Sequence, residues 1–439
     1  MRYPGLAAAL LALAACGGGD GGVSAGTAQQ GSLVDPGRID AVLSGYVARG
    51  ELVGVSALVY ERGEEAYFGA FGMADREAER PLARDSLVRI YSMTKPVTGV
   101  TLMTFYDEGR FELDEPLERY LPEYAGMRVF AGMENGEPRL VPAERPPTIR
   151  DVLRHTAGFA GGGEEGWLGE RWREADLFNP GNTLADVSAG LAALPLAYQP
   201  GTQWRYGPSV DVQARLVEVL SGKPFEAVVR ERVLVPLGME ETQYRLGPGQ
   251  RERLTALYER LEDGSFRRLP DDDPRAAYNL RDPVLTPGGW GLTSTLDDYV
   301  RFARMLLGGG ALDGVRILQP ETVRLMATDA LPPTIGDKSW LPSKGQVGFG
   351  IDFAVRIAPP IDQAEASGAV GEFFWDGAAN TLFWVDPANE IAAVLFNYYM
   401  PFGQTEIQKD FRDAVYYRDE VASALTKPPA GPGSRRLSD

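Results

Sequence analysis

The sequence predicts an α+β fold in which one antiparallel sheet is built from both chain ends and flanked by helices, with a mostly helical domain inserted between them. Three observations carry this expectation. VGVSALVYERG (53–63) and EAYFGAFG (65–72) are β-rich runs joined by a Gly-containing turn, the pattern of an antiparallel hairpin. VGFGIDFAV (347–355), NTLFWVDP (380–387) and the almost wholly apolar IAAVLFNYY (391–399) supply three more strands near the other end, and the last suits a central position. Between these ends, from about residue 77 to 285, helical periodicity is broken by many Gly and Pro residues, with no internal repeat. The expected division is therefore 35–76 with 286–425 for the sheet and 77–285 for the helical domain.

Taken in order, the elements begin with an export signal. Arg2 precedes an apolar run from Leu6 to Ala15. At about ten residues the run is too short to span a bilayer and reads as a signal peptide over residues 1–15. Leu13-Ala14-Ala15-Cys16 resembles a bacterial lipobox, so Cys16, the only cysteine, is the expected lipidation site and the product an exported lipoprotein of the cell envelope. Residues 16–34 form a Gly-rich tether. Inside it, Gly22-Val23-Ser24-Ala25-Gly26 matches G-x-S-x-G, but no strand or helix flanks it to make the strained turn that motif needs. Asp35-Pro36 caps and opens a helix that carries Ile39, Val42, Leu43, Tyr46 and Val47 at helical spacing and ends near Gly50. A closing helix is expected at about 404–424 and a disordered tail at 426–439.

Charge narrows the partners. Acidic residues outnumber basic ones 61 to 44, a net charge of −17 that repels nucleic acid and anionic membrane. The expected partner is a small molecule, with membrane contact only through the N-terminal anchor. Asp271-Asp272-Asp273 reads as a solvated loop, and neither a metal nor a cofactor is expected. The stretch 160–182 mixes glycines with Trp167, Trp172 and Phe178, and reads either as a mobile flap or as a surface loop whose aromatics plug into the core.

The chemistry centres on IYSMTKPVTG (90–99). On a helix, Ser92 and Lys95 share a face three residues apart, placing an amine within reach of a hydroxyl. Pro96 requires the helix to start close to Ser92, which leaves unpaired backbone N–H groups beside the hydroxyl. Because the chain has a single histidine, a desolvated lysine is the natural alternative to imidazole as base. That histidine, His155, ends a short segment opened by Thr148 and Asp151, where a ring hydrogen bond to backbone is the expected role. With six lysines and 17 serines, S-x-x-K arises by chance about 0.2 times, so the motif needs company.

Three companions supply it. Ser92-Met93-Thr94-Lys95, Gln199-Pro200-Gly201 followed by Trp204-Arg205-Tyr206, and Trp375-Asp376-Gly377 fall in the order shown by serine β-lactamases and penicillin-binding peptidases. LRHTAGF (153–159), PLGMEETQY (236–244) and GGWGLTSTLDDYVRFARMLLGGG (288–310) extend the resemblance over residues 35–420, and it is nearest to the family VIII carboxylesterases. The resemblance implies a β-lactamase/transpeptidase-like fold, with Ser92 as the acylated nucleophile and Lys95 as its base. It further implies that the Tyr206 phenol passes protons, and that the N–H groups of Ser92 and Ala378 form the oxyanion hole, Ala378 lying on an edge strand beside the nucleophile.

Departures from that pattern set the expected substrate. Where β-lactamases carry a carboxylate-gripping lysine, this chain has Trp375 and Asp376, with Gly377 completing that side of the pocket. Tyr206-Gly207-Pro208 also lacks the side-chain amide usual at its third position, although Ser209 could replace part of it. Both changes favour neutral esters in an aromatic-lined pocket. A β-lactamase or D-Ala-D-Ala carboxypeptidase, and a catalytically silent binding protein on the same fold, stay open as alternatives.

Overall fold

The computed structural model describes residues 31–335 and 345–416. The signal peptide, Cys16, most of the tether, the G-x-S-x-G match, the end of the closing helix and the tail lie outside the described residues. The described residues from Leu33 onward form one compact unit.

Helix α1 (Pro36–Ala48) opens as expected: the Asp35 carboxylate accepts from the N–H groups of Gly37 and Arg38, and Pro36 occupies the first turn, where no donor is lost. The left-handed Gly50 (φ +72°) follows its end. The main sheet has eight strands: β1 (Gly54–Glu61), β2 (Glu64–Asp75), β3 (Arg80–Pro81), β4 (Val347–Phe349), β5 (Ala354–Arg356), β6 (Phe373–Asp376), β7 (Leu382–Asp386) and β8 (Ile391–Phe396). Their order is β4-β5-β6-β7-β8-β1-β2-β3, antiparallel at every pairing. Strand β8 is therefore interior, joining the two chain ends, and Ser56 faces Phe396 across that seam. Every residue of β7 and β8 is buried, so both faces of these strands are covered.

Two expected strands are shorter than their sequence runs. Residues 347–355 break into β4 and β5 because Asp352 turns the chain at φ +57°. The run at 391–399 leaves the sheet after Phe396, and Tyr399–Met400 pairs in parallel with Tyr258 and Glu259 instead. The middle of the chain is also less uniformly helical than its periodicity predicts. Arg128–Glu134 and Glu137–Pro142 form a hairpin turned by Asn135 (φ +52°) and Gly136 (φ +86°). That Asn-Gly pair is a hairpin signal in its own right. In the 160–182 stretch, the helix α3 (Gly166–Ala175) holds Trp167 stacked on Phe130 at 5.4 Å, and Trp172 lies 6.2 Å from Phe178. Trp172 and Phe178 pack half-buried against the core, whereas Trp167 rests on half-buried Phe130 beside it.

Helix α2 (Thr94–Asp107) is the molecular axis, with every residue from Thr94 to Phe105 buried. Helix α4 (Ser209–Ser221) packs beside it. Helix α5 (Leu296–Leu307) lies on β1, β7 and β8, while α6 (Ile407–Tyr416) and α1 pack on each other. Tyr299 of α5 donates to Met93 O at 2.7 Å, which ties the sheet layer to the start of α2. The architecture is thus the expected α+β, β-lactamase/transpeptidase-like fold, with one antiparallel sheet from both chain ends.

Candidate active site

Ser92 sits where three constraints meet. Val88–Arg89 pairs with Thr293–Ser294, and Ile90 N–H donates to Leu292 O at 3.1 Å, so the approach to the helix is clamped. Tyr91 then takes φ +43°, a left-handed conformation that costs a non-Gly residue on the order of 1–3 kcal/mol and is held by its surroundings. A short turn, Tyr91–Met93, leads into α2, which puts Pro96 in the opening turn as its chemistry requires. Ser92 is half-buried at the mouth of this turn.

The structure brings Lys95 to Ser92. Its Nζ lies 3.3 Å from Ser92 Oγ and donates to Gly289 O at 2.7 Å. Thr98, one turn on, donates to Gly288 O at 2.7 Å. This glycine pair is required by space: a Cβ on Gly288 would stand 2.3 Å from Val210 O, and one on Gly289 would stand 3.2 Å from both Lys95 Nζ and Asp211 Oδ2. Lys95 is 6% exposed and, among the described residues, makes no ion pair. Its amine lies 4.5 Å from the centroid of the Tyr206 ring.

Tyr206 reaches the site from the loop before α4. Arg205 N–H donates to His155 O at 3.0 Å and Gly201 N–H to Thr156 O at 2.8 Å, pinning this loop to the 155–158 turn. The Tyr206 ring is flanked by His155 at 5.1 Å and Trp375 at 5.4 Å, and the residue as a whole is 42% exposed. Phe349 packs 5.5 Å from Trp375 and 5.4 Å from His155, completing an aromatic wall. The expectation for His155 is corrected here. The Thr148–Asp151 capping box forms as read, but His155 itself turns at φ +57° and is 1% exposed, with neither ring nitrogen hydrogen-bonded. Burial, aided by the Lys95 charge, pushes its imidazole down to about 3, so it stays neutral.

The third motif arrives on β6. Gly377 packs where a Cβ would lie 2.4 Å from Ile90 O, so the end of this strand meets the backbone two residues before Ser92. Ala378 is not on an edge strand as expected. It is an exposed turn residue just past β6, which is itself interior because β4 and β5 extend the sheet beyond it. Neither the Ser92 nor the Ala378 N–H makes a backbone hydrogen bond among the described residues.

Two buried carboxyls beneath Lys95 were not foreseen. Asp211 accepts from Gly289 N–H at 3.2 Å, and burial raises it to about 6 against the opposing pull of the Lys95 charge. Asp352 accepts from Gln213 Nε2 at 3.1 Å on one oxygen, while the other has no hydrogen-bond partner. Burial raises it to about 8, with the Gln213 bond and the Lys95 charge opposing. An Asp inside the apolar register Val210, Val212 and Leu216 was the one available sequence signal for Asp211.

A serine at the mouth of a buried helix, joined in this way to a lysine in the helix's first turn beside a β-sheet, defines a serine hydrolase of the β-lactamase-like type. Residues 39–417 match the family model described as Beta-lactamase, and the chain belongs to that family. It is 34% identical over 386 residues to Protein Rv1367c of Mycobacterium tuberculosis, covering 87% of this chain and 93% of that one. It is 30% identical over 409 residues to Esterase EstB of Burkholderia gladioli, covering 87% of this chain and 95% of EstB. Among solved structures, the fold matches EstCE1, described as a hydrolase with promiscuous acyltransferase activity, at a TM-score of 0.71 and 24% identity, over 87% of this chain and 98% of that one.

Proposed function

We propose that this hydrolase cleaves neutral esters through an acyl-enzyme on Ser92, with Lys95 as general base and the Tyr206 phenol sharing the proton transfers. The observation that carries this reading is the 3.3 Å separation of Lys95 Nζ from Ser92 Oγ in a setting with no ion-pair partner for the amine among the described residues. As a neutral amine, Lys95 keeps one N–H on Gly289 O and turns its lone pair to the serine proton. Ser92 Oγ attacks the ester carbonyl, the ammonium returns the proton to the departing alkoxide, and a water deprotonated by the same amine then releases the acid. The free N–H groups of Ser92 and Ala378 would receive the oxyanion.

The preference for neutral esters rests on Trp375 and half-buried Asp376, where a substrate carboxylate would meet an aromatic face and a like charge. Turnover of p-nitrophenyl butyrate and of nitrocefin by one preparation tests it. The ester is expected to be hydrolysed faster, and faster nitrocefin turnover would reverse the assignment. We also propose that the chain is an exported lipoprotein anchored through Cys16, supported by Leu13-Ala14-Ala15-Cys16. Metabolic labelling with an alkyne fatty acid in a bacterial host should mark the wild type and not Cys16→Ser; equal labelling of both would refute the anchor.

A further inference from the structure

In a chain where acidic residues outnumber basic ones 61 to 44, one cavity of about 220 Å³ gathers four arginines. Arg80, Arg89, Arg251 and Arg268 line it, together with three carboxylates. Two of those carboxylates, Asp75 and Asp271, are already engaged, both by Arg268 at 3.2 and 3.0 Å. The third, on exposed Glu252, makes no ion pair among the described residues. Among the described residues, the Arg80 guanidinium donates to Arg253 O and Leu254 O, and that of Arg251 to Leu246 O, with no carboxylate partner for either. Three guanidiniums therefore line this cavity with no bound carboxylate among the described residues.

Arg89 is the most telling of them. It is 6% exposed, and its two terminal nitrogens donate to Thr255 O at 2.9 Å and Ala276 O at 2.8 Å. Its Nε has no acceptor at all. Thr255, 1% exposed on the same cavity wall, has a hydroxyl with no partner either. A buried guanidinium without an ion-pair partner is expensive, and burial pushes Arg89 below its ordinary value against the weaker pull of Tyr91 and Asp271. Unfilled buried donors of this kind are found where a ligand or water completes them. The cavity far exceeds the ~10–15 Å³ one water needs, and an ion with several acceptor oxygens and negative charge answers both the hydrogen-bond and the charge deficit.

We propose that this cavity is a binding site for a small phosphate-class oxyanion, with Arg80 and Arg251 closing over it and the buried Arg89 Nε and Thr255 Oγ1 turning to donate from its floor. The site is separate from the Ser92 chemistry but tied to it through the chain. Arg89 lies three residues before Ser92, and the short helix whose Ala276 O it holds also takes the Tyr91 hydroxyl on Arg275 O at 3.0 Å. Anion binding would lock the strained segment that presents the nucleophile.

Isothermal titration of the full soluble chain with inorganic phosphate, and separately with glycerol phosphate, at ionic strength held constant with sodium chloride, tests the proposal. One saturable site is expected on the wild type for at least one of the two, weakened at least tenfold in Arg251→Ala and several-fold in Thr255→Val. Tighter binding of glycerol phosphate would identify a headgroup-like monoester as the source, and tighter binding of phosphate the free ion. Arg251 is exposed, so its truncation leaves the fold intact even if Arg89→Ala does not fold. Thr255→Val should raise Tm without anion, since it removes an unpaired hydroxyl, and shrink the Tm gain from anion. No saturable binding of either probe up to tens of millimolar, or binding unchanged in both variants, would overturn the proposal.

Discussion

Among the buried cations of the described residues, two centres are treated in opposite ways. At the far end of the sheet, Arg356 and Arg412, both with fully buried side chains, converge on Glu372 Oε1, which Arg356 Nε approaches to 2.8 Å. In the cleft, Lys95 is nearly as buried but is given a carbonyl and a hydroxyl in place of a carboxylate. The carboxyls closest to it are themselves raised by burial, to about 6 for Asp211 and about 8 for Asp352. The guanidiniums of Arg356 and Arg412 are neutralised by one shared carboxylate. The Lys95 amine in the cleft has no carboxylate within ion-pair distance among the described residues and is held by neutral oxygens. The contrast is between cations held by a carboxylate and one held by a carbonyl and a hydroxyl.

Substitutions can break this contrast from either side. Lys95→Met should lower kcat/KM for p-nitrophenyl butyrate by about 10²–10⁴ while changing stability by less than ~1.5 kcal/mol, because the replacement conserves volume and removes a polar group. A large fall in Tm in this variant would make Lys95 structural. Glu372→Gln should do the reverse: stability falls by about 3–5 kcal/mol as two buried guanidiniums lose their counter-charge, while turnover per folded molecule is retained. Chemical denaturation and active-site titration read the two quantities separately. Gly99→Ala is a smaller perturbation, since the new Cβ would stand 2.4 Å from Asp352 Oδ2 and overpacking costs about 1–3 kcal/mol.

The comparison also extends to pH dependence. The folded-state value of Asp352 is raised from 3.8 to about 8, so its protonated form stabilises the fold fully below pH 3.8, and that contribution is lost as pH rises through 8. Asp352→Asn cannot ionise. Its Tm relative to wild type should therefore be lowest near pH 4 and climb towards pH 8; a difference independent of pH would show that Asp352 does not titrate there.

What the sequence made legible follows the range of the interactions involved. The Ser92–Lys95 pair, the early Pro96, the Asp35 cap and the Thr148–Asp151 box are local, and each formed as its spacing requires. The strand runs at both ends were legible because β-rich segments bounded by turns need no knowledge of their partners. Gly289, Asp211 and Asp352 escaped notice because Lys95 meets them from 194, 116 and 257 residues away in sequence, and nothing local marks a Gly carbonyl as an amine's acceptor. The left-handed turns at Asp352 and His155 were equally hidden, since neither residue type demands positive φ. The hairpin at 128–142 was a different kind of miss, because Asn135-Gly136 announced it within a segment whose periodicity read as helical.

The most direct test of the lysine's role is the rate at which a fluorophosphonate modifies the wild-type chain and Lys95→Arg, with the adduct located by mass spectrometry. The wild type should be labelled once, on Ser92, and the arginine variant, folded but unable to accept a proton, should react about 10²–10⁴ times more slowly. Equal rates in the two proteins, or a label on any residue other than Ser92, would contradict it.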